Sequence, residues 1–144
     1  MGFTDAIRTC LRQYATFSGR ARRSEFWWWW LFTLLASMVA SGLDQAVLGY
    51  SFTSADETGP IGGIVGLLLF LPTLAVTARR LHDINKSGWW QLISLIPIVG
   101  WILMLVWTIR NGDAGDNLFG PDPKGVTGST GYPDIQDYVP PRPY

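Results

Sequence analysis

Two short stretches of this chain carry most of its chemistry-bearing side chains. They read Phe17-Ser18-Gly19-Arg20-Ala21-Arg22-Arg23-Ser24-Glu25-Phe26-Trp27 and Arg79-Arg80-Leu81-His82-Asp83-Ile84-Asn85-Lys86-Ser87-Gly88-Trp89-Trp90. Together they set Arg20, Arg22, Arg23, Arg79, Arg80 and Lys86 against only Glu25 and Asp83. A planar guanidinium fork binds two oxygens of a phosphate, so a pocket in which Glu25 or Asp83 orients one Arg would leave others for an anionic ligand. The ordinary excess of cations on the cytoplasmic side of a membrane protein explains the same residues with no site at all. His82-Asp83 invites an acid–base reading, but neighbours on a helix point about 100° apart, so the Asp is poorly placed to orient that imidazole. A lone His builds no usual zinc site. No nucleophile elbow, phosphate loop or cysteine pair occurs, and Cys10 is the single cysteine. The expectation is a protein with no metal, no cofactor and no catalytic constellation.

The elements that must position these segments are apolar. Only 15% of the 144 residues are charged, against about 25% in soluble domains, and 8 are Trp. Three windows lack Asp, Glu, Lys, Arg and His: Phe26–Leu43, Thr58–Ala78 and Ser87–Ile109, of 18, 21 and 23 residues. As helices they would reach about 27, 31 and 34 Å, against a hydrocarbon core near 30 Å. No window leaves a charged face for water. The expected fold is therefore all-α, an integral membrane protein of three transmembrane helices over about 26–43, 58–78 and 87–109. The first window follows five arginines and opens on Trp27–Trp30, which reads as a retained anchor rather than a cleaved signal.

Cations set the orientation. Residues 1–25 hold Arg8, Arg12, Arg20, Arg22 and Arg23; the 79–86 loop holds Arg79, Arg80 and Lys86; the 44–57 loop holds none. The amino terminus and the 79–86 loop are expected in the cytoplasm, and the 44–57 loop outside. An odd number of spans then sends the C-terminal tail outside, with Arg110 as a contrary sign. Trp27–Trp30 and Trp89–Trp90 fall at the cytoplasmic interface in this scheme and Trp107 near the outer one. Ala36 and Ala40 on span one share a depth with Gly62 and Gly66 on span two, a small-xxx-small spacing that predicts close helix contact. Pro72 and Pro97 free the carbonyls of Leu68 and Ile93; neighbours commonly re-satisfy such groups. No ionisable residue lies at mid-membrane, which disfavours a proton- or ion-coupled carrier.

The flanks are simpler. Phe3, Ile7, Leu11, Tyr14 and Phe17 recur at helical spacing with Arg8, Arg12 and Gln13 elsewhere around the axis, predicting an amphipathic interfacial helix over about 3–17. Gly19 ends it and Ser24 is placed to cap span one. Residues 111–144 contain 6 Gly, 6 Pro and five Asp, an irregular composition, and Asp113 to Asn117 lacks the spacing and closing Glu of a calcium loop. The membrane domain is taken as 1–124 and the Gly/Pro-rich tail as 125–144.

With Gly112-Asp113-Ala114-Gly115-Asp116-Asn117-Leu118-Phe119-Gly120-Pro121-Asp122-Pro123, the two basic segments resemble the YhaH-type family of small bacterial inner-membrane proteins, a family of unknown function. Three ordered motifs carry the resemblance, on Phe17 to Phe26, Arg79 to Trp89 and Gly112 to Pro123; the match covers about residues 11–124. The chain departs from the pattern only in following Phe26 with four Trp. The resemblance implies a bacterial inner-membrane protein of three or four spans and brings no activity, cofactor or substrate.

The leading expectation is a non-enzymatic membrane protein whose cytoplasmic face binds anionic phospholipid head groups or a protein partner. Its residues are Arg20, Arg22, Arg23, Glu25, Arg79, Arg80, His82, Asp83 and Lys86. A small oligomeric channel or carrier is the alternative, and a lipid-modifying enzyme using His82 or Asp83 the third. A homo-oligomer or another membrane protein is a possible partner; nucleic acid is not expected, because the basic segments are pinned to membrane ends.

Overall fold

The computed structural model describes residues 1–49 and 59–125. Over these the protein is helical, with no strand among the described residues. α1 spans Phe3–Arg12, α2 Arg23–Leu48 and α3 Pro60–His82; a 3₁₀ segment, Gly88–Leu95, precedes α4, Val99–Ile109. The outermost part of the 44–57 loop, the Thr58 end of the second window and the 126–144 tail lie outside the described residues.

α2 and α3 are the two helices long and apolar enough to cross a bilayer. At 1.5 Å per residue their 26 and 23 residues reach about 39 and 35 Å. Their flanks differ from the expected caps. α2 begins at Arg23, with Arg22 extended at the cap position and no side-chain cap, so Ser24 lies inside the helix. The chain is pinned there instead by Ala21 N donating to the Arg79 carbonyl (3.0 Å). α2 also runs past Leu43 to Leu48, which places Asp44 on the helix and not in a loop. Asp44 is buried, and its carboxylate accepts from the amides of Ile61 (3.0 Å) and Gly62 (2.7 Å). It thereby caps the first turn of α3, whose free N–H groups otherwise have no partner in lipid.

The surface is inverted relative to a water-soluble bundle. Leu67 is 75% exposed and Val39 63%, whereas Arg80 is 0% and Asp83 2%. Apolar side chains on α2 and α3 face outward, where only hydrocarbon covers them without cost. Between these helices, Phe32, Ala36, Val39 and Ala40 of α2 border a shallow apolar groove of about 380 Å³ with Ile61 and Val65 of α3. Gly62 is tied to α2 through its amide, while Gly66 is exposed and a Cβ there would meet nothing within 4 Å.

Trp27–Trp30 do not form a uniform collar. Trp29 is buried with Cys10, Ala21 and Val76, and its indole N–H donates to Thr73 Oγ1 (3.0 Å). Trp28 and Trp30 are exposed. The amphipathic segment is also shorter than 3–17: α1 stops at Arg12, and Tyr14 turns inward to donate to the Leu68 carbonyl (2.5 Å). That is the carbonyl Pro72 leaves without its helical donor, so the proline costs no orphaned acceptor.

The third window is not one continuous helix. Residues 88–95 wind as 3₁₀, Ile96–Ile98 break the winding with Ile98 at φ +65°, and α4 runs back. Pro97 supplies no N–H at the break; the Ile93 carbonyl it would have served takes Ile96 N instead (2.9 Å). Gly100 permits the turn, since a Cβ there would lie 1.8 Å from the Ile93 oxygen. The arms are matched: eight 3₁₀ residues rise about 16 Å, and eleven α-helical residues about 16 Å. Both ends therefore meet at one level. Trp90 packs edge-on to Trp107 at 5.8 Å, and Lys86 Nζ sits over both rings, at 5.6 and 4.9 Å from their centroids. Trp107 thus belongs to the same end of the molecule as Trp89–Trp90, and residues 111–125 return to the end that holds Arg20. The tail was expected across the membrane from Arg20; its described part, 111–125, packs at the Arg20 end of the molecule.

Removing the Asp44 carboxylate with Asp44→Ala is expected to cost about 0.5–2 kcal/mol, the usual value of a helix cap. Tyr14→Phe is expected to cost about 1–3 kcal/mol for the stranded carbonyl. Thermal unfolding in mild detergent checks both, with Ser18→Ala, on an exposed turn, as the neutral control.

Candidate functional site

Asp83 stands at the C-terminal end of α3 and is shared by two guanidinium groups. Arg20 Nε donates to one carboxylate oxygen (3.0 Å) and Arg80 Nη1 to the other (2.6 Å). Side chains of all three are at most 3% exposed. Each Arg has donors left over, and the last turn of α4 and the segment after it absorb them. Arg20 reaches the carbonyls of Asp113 (2.6 Å), Gly115 (2.5 Å) and Gly120 (3.4 Å). Arg80 reaches those of Trp107 (3.4 Å), Thr108 (3.1 Å) and Arg110. Arg23 takes the remaining carbonyl of that turn, Ile109 (3.2 Å). The last carbonyls of α4 have no intrahelical donors, and the two arginines supply them while complementing the negative end of the helix. Only the five-donor guanidinium can do this from one position; an ammonium has three and no fork.

The returning segment closes over this cluster. Asp113 N donates to the Asp83 carbonyl (2.8 Å), Arg22 Nε to that of Pro123, and Asn117 Nδ2 to that of His82 (2.8 Å). Gly112 passes so close that a Cβ would lie 2.0 Å from Asp83 Oδ2. Asn117 and Gly120 exchange backbone bonds of 3.1 Å, forming the turn that carries Phe119. Phe119 stacks flat on His82 at 4.0 Å.

A second buried pair lies against α1. Arg79 Nη1 donates to Glu25 Oε1 (2.7 Å) and also bonds Gln13, while the Cys10 thiol sits 3.8 Å from the same carboxylate oxygen. Arg79 Nε and Nη2 have no partner among the described residues. Burial, reinforced by the Glu25 charge, pushes the Cys10 thiol up to about 12, so it is not a reactive thiolate at neutral pH.

The residues singled out in the sequence therefore separate. Arg20, Arg79, Arg80, Glu25 and Asp83 turn inward and bond each other or backbone. Arg22 is half-buried, Arg23 is exposed, and Lys86 lies along two indole rings. His82 and Asp83 make no pair: the His82 Nδ1–H donates to the Gly19 carbonyl (3.0 Å), and both Asp83 oxygens are occupied by arginine. No group of three metal-ligating side chains occurs among the described residues. Sequence reasoning missed the tail carbonyls as the partners of Arg20 and Arg80. The third motif, rich in Gly and closing on Asn117 to Gly120, was the available sign, since such backbone approaches closely.

Comparison with known proteins matches the interval that holds this cluster. A family model described as "Protein of unknown function (DUF805)" covers residues 14–121. The chain belongs to the DUF805 family. It is 44% identical over 114 residues to inner membrane protein YhaH of Escherichia coli K12, covering 79% of this chain and 92% of YhaH. It is 40% identical over 116 residues to inner membrane protein YhaI of the same strain, covering 79% and 91%. No solved structure matches it. With two helices fit to cross a bilayer and relatives of the inner membrane, this DUF805 chain is a small inner-membrane protein. The family interval begins after α1 and ends just past Phe119, so it encloses the whole Arg20–Asp83–Arg80 cluster.

Asp83→Ala in this DUF805 protein leaves two buried guanidinium groups without their carboxylate. It is expected to cost about 3–5 kcal/mol, seen as loss of the folded species in detergent. Gly112→Ala is expected to release residues 111–125, read as new trypsin cleavage at Lys124 with α2 and α3 intact.

Proposed function

We propose that this protein is a non-catalytic inner-membrane protein that binds anionic phospholipid head groups at its cationic end. Two helices cross the bilayer in this reading, and the 88–109 segment is a re-entrant hairpin. Its arms of about 16 Å enter half of a 30 Å core and return. Positive-inside bias then puts α1, the 79–87 turn and residues 111–125 in the cytoplasm.

The observation that carries the proposal is the division of labour among cations. Arg20, Arg79 and Arg80 are spent on the interior. Arg8, Arg12, Arg23 and Arg110 are exposed at the same end, as are Trp28, Trp30, Trp89 and Trp90. Lys86 lies half-buried between them. Indole rings anchor at the head-group level, and cations beside them meet lipid phosphate there. The ligand-binding residues on this reading are Arg22, Arg23 and Lys86 from the basic segments, joined by Arg8, Arg12 and Arg110. Exposed surface cations near an anionic leaflet contribute about 1 kcal/mol each. The triple variant Arg23→Gln/Lys86→Gln/Arg110→Gln is expected to retain at least tenfold less phosphatidylglycerol through purification in mild detergent. Unchanged retention in a folded triple variant refutes the proposal.

A further inference from the structure

One cavity of about 400 Å³ lies beside the cluster, between the foot of α3 and the 3₁₀ arm. Phe17, Ala78 and Trp89 form its apolar walls, and His82, Ser87 and Gln91 are its polar groups. No charged side chain lines it among the described residues.

The polar groups are set to accept. Gly19 offers His82 Nδ1 a carbonyl, which only accepts, so Nδ1 carries the proton and the neutral ring presents a lone pair at Nε2. Phe119 covers one ring face, and Nε2 is the edge beside Gly88, where a Cβ would lie 3.3 Å away. Gln91 Oε1 is buried without a partner among the described residues. A buried acceptor left unpaired is costly, which favours a ligand that donates. Ser87 Oγ accepts from Trp89 N (3.4 Å), so its hydroxyl proton remains for a further acceptor. A phosphate would find no cation in this lining. An ammonium would find no carboxylate there either. A neutral hydroxyl group fits both conditions, and the apolar walls and the 77% exposed Trp89 place it on an amphiphile at the head-group level.

We infer that this cavity holds the hydroxyl-bearing glycerol head of a phosphatidylglycerol-type lipid, donating to His82 Nε2 and Gln91 Oε1. The inference rests on the anionic-lipid reading above and names which anionic lipid the protein selects. The phosphodiester stays outside the cavity, on the side of the exposed cations.

The test compares lipids that differ in one group. The full chain is reconstituted in phosphatidylcholine nanodiscs with phosphatidylglycerol, phosphatidylmethanol or phosphatidylethanolamine as guest, and bound lipid is counted by native mass spectrometry. Phosphatidylglycerol and phosphatidylmethanol carry the same charge and differ in the hydroxyls. Two buried hydrogen bonds predict a preference of about tenfold for phosphatidylglycerol. Gln91→Leu, which removes a side chain with no hydrogen bond among the described residues, should bring that ratio to within about threefold of unity, on the value of a single bond. Its preference for phosphatidylmethanol over phosphatidylcholine should not change. Equal binding of phosphatidylglycerol and phosphatidylmethanol by the wild type overturns the inference, with no need of a variant. So does a Gln91→Leu ratio that stays at the wild-type value, preference for phosphatidylethanolamine, or displacement of the lipid by free glycerol. Phosphatidylmethanol bound no better than phosphatidylcholine would instead sink the cationic-face reading, and with it the anionic part of this inference.

Discussion

A carboxylate gripped by two arginines, out of reach of water, is the constraint on which this architecture depends. Asp83 ends one membrane-crossing helix, Arg20 comes from the segment before the other, and Arg80 reaches the last turn of α4. Each guanidinium then has donors to spare in a place where no solvent absorbs them, and backbone carbonyls from residues 107–120 take them up. Replacing such a buried ionic group by well-packed apolar residues is often neutral or stabilising, so its value is not bulk stability. What it fixes is arrangement: without Arg80, α4 loses its C-terminal partners, and without Arg20 the returning segment loses its anchor.

Pairing of freed backbone groups organises the helix breaks in the same way. In hydrocarbon an unpaired N–H or C=O costs several kcal/mol, so each break in a helix must bring its own partner. Asp44 supplies one at the start of α3, Tyr14 at Pro72, and the 3₁₀ amide of Ile96 at Pro97. Thr73 and Trp29 form a further polar contact just past Pro72. At these two prolines the carbonyls freed by the missing N–H each take a donor from the chain itself.

Much of this was legible in the residues and some was not. Helicity and the first two spans followed from charge-free windows, because length and hydropathy decide them. The family followed from three ordered motifs on Phe17 to Phe26, Arg79 to Trp89 and Gly112 to Pro123. The failure lay in 87–109. Hydropathy is the same for one long helix and for two short arms folded together, and the difference turns on Ile98 at positive φ and Gly100 against the Ile93 carbonyl. Reading one long helix there sets Trp107 and the tail at the end away from Arg20, whereas the fold brings both back to the Arg20 end, as Arg110 at the end of the window had hinted. Counting cations could not tell the spent ones from the available ones either. Arg80 and Lys86 read alike in sequence; one is fully buried against carbonyls, the other lies across two indoles.

The most direct test of this account is which face of the membrane residue 124 occupies relative to residue 18. Single cysteines at Ser18, Val47 and Lys124 can be probed in intact cells with an impermeant maleimide; the native Cys10, buried and held as a thiol, gives no background. The account predicts that Val47→Cys alone is labelled from outside, and that Ser18→Cys and Lys124→Cys react only once the membrane is opened. Labelling of Lys124→Cys from outside while Ser18→Cys stays protected would contradict it, because α4 would then cross the bilayer and the arginines could not hold its end.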